Sequence, residues 1–151
     1  MSTDKLADIR RAALNLLARR EHSKTELCRK LLKKNFSSAE VDLVLNGLAE
    51  KGLLNENRFI ENFIHYQRNR GFGPIRIRAD LLERGIKENL IEHHLEIKDN
   101  AWLSSLRHVW QKRFKNGLAN DYKTRAQQMR FLQYRGFTHD QIKSVMNNDE
   151  E

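Results

Sequence analysis

The chain has one cysteine, Cys28, and one proline, Pro74, among 151 residues. A lone cysteine excludes a disulfide within the chain and fits a reducing compartment. Cys28 itself reads as a small buried hydrophobe. No apolar run approaches the roughly 18–20 residues that a membrane span requires. The first residues, Met1 to Arg11, are interrupted by charge throughout, so they hold no signal-peptide apolar core. A cytoplasmic protein with no membrane partner is expected. Motifs that carry chemistry are also missing. There is no His-Glu-x-x-His and no cysteine pair for a metal, no Gly-rich phosphate loop ending in Gly-Lys-Ser/Thr, and no Gly-x-Ser-x-Gly elbow. His93 and His94 are adjacent and so point to different sides of a helix. No catalytic residue, metal or cofactor is expected, and the chain reads as a binding protein rather than an enzyme.

Acidic residues are scarce where basic ones gather. Lysine and arginine number 28 against 20 aspartates and glutamates, a formal charge of +8. Between Arg68 and Arg78 stand four arginines, Arg68, Arg70, Arg76 and Arg78, and no acid. Between Arg107 and Arg135 eight basic residues face Asp121 alone, whereas the chain closes on Asp149-Glu150-Glu151. Such a balance favours a polyanionic partner.

The chain also repeats itself. Leu31-Leu32-Lys33-Lys34-Asn35-Phe36, Leu81-Leu82-Glu83-Arg84-Gly85-Ile86 and Leu132-Gln133-Tyr134-Arg135-Gly136-Phe137 align at offsets of about fifty residues, the upper end of repeat periods. Asn35, Gly85 and Gly136 are residues that accept a positive φ just past a helix. The apolar residue after each folds back on the last turn, and the basic residue before each suits the negative helix end. A helix therefore stops three times in one manner. Ser37 with Glu40, and Thr138 with Gln141, then make capping boxes that open the next helix; the middle copy has Lys87 there, a poor cap.

Working back from each stop gives two further helices per copy. In copy one they run from Leu6 to Arg20 and, behind the Ser23/Glu26 capping box, from Lys24 to Lys34. In copy two they run from Glu56, capped by Asn55, to about Arg70, and from Pro74, which suits a first helical position. In copy three they run from Ala101 to about Phe114 and, after a longer flexible loop over 115–120, from Asp121 to Arg135. Phe36, Phe59, Phe63, Trp102, Trp110 and Phe137 fall at core spacing. The predicted fold is all-α: one domain of three tandem three-helix repeats, about 1–52, 53–98 and 99–148, with a short acidic tail. Such an array is expected to be elongated and curved.

Particular stretches are distinctive. Asn55-Glu56-Asn57-Arg58-Phe59 is followed by Arg68-Asn69-Arg70-Gly71-Phe72-Gly73-Pro74-Ile75-Arg76, then by Leu81-Leu82-Glu83-Arg84-Gly85-Ile86; earlier stands Arg20-Glu21-His22-Ser23. This pattern closely resembles the RecX family of bacterial recombination regulators over nearly the whole chain. Ile60 and Glu56 depart from the alanine and aspartate usual there, which touches packing and helix start. The resemblance implies a protein that binds the RecA filament on single-stranded DNA and restrains RecA's ATPase, strand exchange and co-protease activity.

The residues expected to meet such a partner, or nucleic acid directly, are Arg68, Arg70, Arg76 and Arg78 with Tyr66 and Phe72, and Lys112, Arg113, Lys115, Lys123 and Arg125 around the third copy's loop. Guanidinium groups grip both oxygens of a phosphate or carboxylate, and aromatic rings offer stacking. Bland roles stay open beside this: Arg68 and Arg70 complementing a helix dipole, Arg76 pairing with Asp80. Lys34, Arg84 and Arg135 read as parts of helix stops. A competing reading is a helix-turn-helix protein that reads duplex DNA directly, as a dimer; three similar copies suit wrapping along a polymer better, and a monomer is expected.

Overall fold

The computed structural model describes residues 3–150, with side chains from 4 to 147. Among the described residues there are nine helices and no strand. Copy one holds α1 (Thr3–Arg19), α2 (Lys24–Leu32) and α3 (Ser38–Glu50). Copy two holds α4 (Glu56–Asn69), α5 (Pro74–Glu83) and α6 (Glu88–His94), and copy three α7 (Ala101–Arg113), α8 (Tyr122–Arg135) and α9 (His139–Glu150). The fold is all-α, three three-helix segments in tandem. Of the acidic end, Asp149 and Glu150 close α9, but their side chains and the whole of Glu151 lie outside the described residues.

The helix stops are as the repeat predicts. Asn35, Gly85 and Gly136 have φ of 67°, 82° and 104°. Behind them the Ile86 amide donates to the Leu81 carbonyl at 3.1 Å, and the Phe137 amide to the Leu132 carbonyl at 3.3 Å, the six-to-one bond of a Schellman stop. α1 runs over Thr3–Arg19 rather than Leu6 to Arg20, and two further boundaries differ from expectation. α2 ends at Leu32, because its last amides tighten into three-residue bonds, Lys34 to Leu31 and Asn35 to Leu32. Asp121 is the cap of α8 rather than its first residue, since its carboxylate accepts from the Thr124 amide at 2.9 Å.

The chain forms two compact units, Met1–Asn62 with Leu81–Ile91, and Phe63–Asp80 with Glu92–Glu151. Each unit thus holds one complete outer copy and part of the middle one. In the first unit α1, α2 and α3 bury Ile9, Ala13, Leu27, Leu31, Val41, Leu45, Leu48 and Leu54 together. The second unit buries Trp102, Leu106 and Trp110 of α7, Leu132 of α8, and Ile142, Val145 and Met146 of α9. Phe59, Trp102, Trp110 and Phe137 are buried as expected, while Phe36 and Phe63 are half-buried.

One kind of docking recurs inside both units. In the first, the stop of copy two sits on the first turn of α2: the Ser23 hydroxyl donates to the Arg84 carbonyl at 2.8 Å, and a side chain on Gly85 would overlap Thr25. In the second, the stop of copy three sits on the first turn of α5. The amides of Gly73 and Ile75 donate to the carbonyls of Arg135 at 2.8 Å and Gly136 at 2.9 Å. The amides that open α5 and the carbonyls that close α8 lack partners within their own helices, so each end satisfies the other.

The Arg20–Ser23 segment is a joint in the first unit. Ser23 and Glu26 form a complete capping box on α2. The Glu26 carboxylate also meets the guanidinium groups of Arg20 at 3.2 Å and Arg84 at 3.7 Å, and Arg58 meets Glu21 at 2.9 Å. His22 is 1% exposed, with Nδ1 3.0 Å from the Arg20 carbonyl and Nε2 2.9 Å from the Lys30 ammonium. The ammonium only donates, so Nε2 accepts and the ring is neutral with its proton on Nδ1. Burial, together with the charges of Arg20 and Lys30, outweighs the Arg20 carbonyl and holds the His22 pKa below its usual range. Burial pushes the Glu26 carboxyl up, but the hydrogen bonds from Arg20 and Ser23 overcome it, and the net direction is down.

Candidate functional site

α4 stops at the Gly71 turn, with the Phe72 amide donating to the Gln67 carbonyl at 3.0 Å, and Pro74 starts α5 two residues later. This short break holds the Phe72 ring between two helix ends. Three guanidinium groups converge on it: Arg70, Arg76 and Arg135 have their central carbons 5.1, 4.1 and 5.2 Å from the ring centroid. Arg70 also lies 5.5 Å from Tyr66, and Arg76 5.4 Å from Tyr134. The two tyrosines are 61% and 75% exposed. A cation over an aromatic face gains about 0.5–2 kcal/mol depending on solvation, so the rings keep like charges together while the outer edges of the guanidinium groups stay able to donate.

The second basic stretch joins the first. Arg113 lies 5.3 Å from the centroid of Phe131, and Arg135 lies 5.3 Å from the same ring. Asn69, Arg70 and Gly71 from the end of α4, His108, Val109, Lys112 and Arg113 from α7, and Phe131 and Arg135 from α8 line one cleft of about 280 Å³. Four fixed cations line it and no carboxylate does.

Other expected residues go elsewhere. Arg68 is spent inside the second unit: its Nε donates to the Ser105 hydroxyl at 2.6 Å, its Nη2 to the Ala101 carbonyl at 2.8 Å, and the group lies 4.8 Å from the Trp102 ring. Arg78 is half-buried on α5 and does not line the cleft. Lys115 lines a separate recess under the 115–120 loop, and Lys123 is exposed on the first turn of α8. That loop, expected to be flexible, is hydrogen-bonded to α8. Buried Gln128 accepts from the Ala119 amide and donates to the Gly117 carbonyl, both at 3.2 Å, and the Arg125 Nε donates to the Ala119 carbonyl at 3.3 Å.

Sequence reasoning missed Tyr134, Arg135, Phe131 and His108. Arg135 has a role in its helix stop, but it also donates to the Arg70 carbonyl at 3.2 Å and covers two rings. The signal lay in the repeat: an αL stop docked on the matching helix start of the preceding copy brings Tyr134 against Arg76 and Arg135 against Phe72. Among the described residues no three or more His, Cys, Asp and Glu side chains gather as a metal site would, and no helix is long and apolar enough to cross a membrane.

Family models for the first, second and third three-helix domains of RecX match residues 10–48, 55–95 and 103–146. The regulatory protein RecX of Ectopseudomonas mendocina is 43% identical over 143 residues, covering 95% of both chains. The chain belongs to the RecX family of regulatory proteins. A RecX of Pseudomonas putida is 44% identical over 139 residues, covering 92% of this chain and 89% of its own. Among solved structures, RecX from Lactobacillus salivarius superposes with a TM-score of 0.82 at 21% identity, over 99% of each chain. A second RecX crystal structure gives 0.75 at 18% identity, over 96% of this chain and 72% of that one. At such identities the likeness is one of fold, and the RecX three-helix segments correspond to the three copies read from the sequence.

Proposed function

We propose that this chain is a non-enzymatic modulator of RecA. It binds the RecA filament on single-stranded DNA and lowers RecA's ATPase, strand exchange and co-protease activity. The observation that carries the site is the arginine–aromatic cluster of exposed Tyr66, Arg70 and Tyr134 with half-buried Phe72, Arg76 and Arg135, in which rings concentrate charge that would otherwise disperse. Arginine and tyrosine are the residues most often central to protein interfaces. The protein acts in the cytoplasm as a monomer, one domain of three copies, and Arg78, Lys115, Lys123 and Arg125 extend the contact at its margins. The test is RecA's ATP hydrolysis on single-stranded DNA with rising amounts of this protein. Inhibition at substoichiometric amounts is expected; an unchanged rate at equimolar protein overturns the reading.

A further inference from the structure

The cleft lined by α4, α7 and α8 gathers charge in a way the fold alone does not require. Arg70, Lys112, Arg113 and Arg135 line it with His108, and among the described residues none of the four fixed cations is paired with a carboxylate. Two are further constrained. The Arg70 guanidinium donates to the Gln67 amide oxygen at 3.1 Å, and that of Arg135 to the Arg70 carbonyl at 3.2 Å, bonds that favour keeping the two charges together. Converging like charges in a concave site repel, and a bound anion relieves that repulsion. The wall behind the cations is not polar: Val109 and Phe131 line it, with Phe131 set edge to face against Phe114 at 5.5 Å between centroids. A volume of about 280 Å³ lies near the lower end of ligand pockets, about 300–1,000 Å³. It admits one small unit rather than a folded segment.

We infer that this cleft binds one nucleotide unit, a phosphate held by Arg70, Arg113, Lys112 and Arg135 with a flat ring set against Val109 and Phe131. Guanidinium groups chelate phosphate oxygens, and bases stack on aromatic side chains and on guanidinium planes. A carboxylate-bearing peptide would use the cations but leave the apolar wall unexplained. The nucleotide unit has two sources, a free nucleotide or a single strand threaded through the cleft. The inference concerns this protein alone and stands whether or not RecA is its partner.

The experiment titrates the full chain, without RecA, with ATP, with an oligothymidylate of about eight residues and with inorganic pyrophosphate, followed by calorimetry and by anisotropy of labelled oligonucleotide. Lys112→Ala with Arg113→Ala is the first variant, because both residues are exposed on α7. Phe131→Leu is the second. We expect saturable binding weakened about tenfold by the double variant and severalfold by Phe131→Leu, with unfolding curves of the double variant unchanged. Displacement of the oligonucleotide by ATP identifies a free nucleotide as an occupant, and binding of the strand alone identifies nucleic acid; either supports the site. The assignment fails if nothing binds saturably or if the double variant binds normally. It fails equally if pyrophosphate or an oligoglutamate peptide competes as well as the nucleotide. RecA ATPase does not enter the readout, so failure here is distinct from failure of the RecA reading.

Discussion

Gly73 and Gly136 meet backbone to backbone: a Cβ on Gly73 would lie 2.5 Å from the carbonyl carbon of Gly136 and 2.6 Å from its oxygen. Backbone cannot yield as a flexible side chain can. Gly136 carries the further demand of φ 104°, and a Cβ there would overlap Arg76. Gly73→Ala and Gly136→Ala should each destabilise by about 2 kcal/mol or more. Gly47 is the control. It lies inside α3 with nothing within 4 Å of a built Cβ, so Gly47→Ala should stabilise by about 0.5–1 kcal/mol. Urea unfolding of the three variants distinguishes these signs, and equal effects at all three would refute the docking argument.

Arg68 and Arg113 should part company in a stability measurement. Arg68 makes two hydrogen bonds to α7 and covers Trp102. Arg68→Ala should therefore cost about 1–2 kcal/mol and lower the melting temperature by several degrees. Arg113 is exposed, with its guanidinium 5.8 and 5.3 Å from the Phe114 and Phe131 ring centroids, so Arg113→Ala should stay within about 0.5 kcal/mol of the parent.

Acid should weaken the fold in two stages. The folded pKa of His22 is depressed below its ordinary 6.5, so below that pH the unfolded chain binds the proton more readily. The stability His22 contributes is whole above about pH 6.5 and is lost as pH falls through the folded value. Glu26, also depressed, repeats this below its usual 4.5. Unfolding free energy should thus decline as pH falls below about 6.5 and again below 4.5. His22→Asn should flatten the first decline; an unchanged slope would show that the buried ring does not titrate with folding.

If the arginine–aromatic surface meets RecA, Arg76→Ala combined with Tyr134→Ala should raise the concentration needed to inhibit RecA's ATPase about tenfold, while circular dichroism stays that of the parent. Lys115→Ala with Lys123→Ala should change it less than threefold at physiological salt, because these two lie on exposed margins where screening is strong. Dose–response curves for both pairs decide the matter.

Local signals made the helices and their punctuation legible. Asn35, Gly85 and Gly136 announce stops because few residues accept a positive φ, and Ser23, Ser37 and Thr138 announce starts because their hydroxyls accept an otherwise orphaned amide. The RecX resemblance followed from the Gly-Phe-Gly-Pro turn and its arginines. Tertiary choices were hidden. Nothing in the spacing of Arg68 and Arg70 says that one turns toward Ser105 and the other toward Phe72, since Arg68 stands in the last turn of α4 and Arg70 just past its end, and which neighbour each meets is set by tertiary packing. Nor did the composition of 115–120 reveal Gln128, thirteen residues beyond its start, as the group that fastens it.

The seating of each helix stop on the preceding copy's helix start carries a consequence for how such a chain is lengthened or shortened. The copies are not interchangeable bricks. Cutting after residue 98 would strip the Gly73 and Ile75 amides of the carbonyls they donate to, and cutting after residue 52 would do the same to the Ser23 hydroxyl. A stretch of about fifty residues is therefore the period of the sequence but not the unit of inheritance. What must travel together is a start from one copy and a stop from the next, so a duplication stays foldable only if it preserves that overlapping pair.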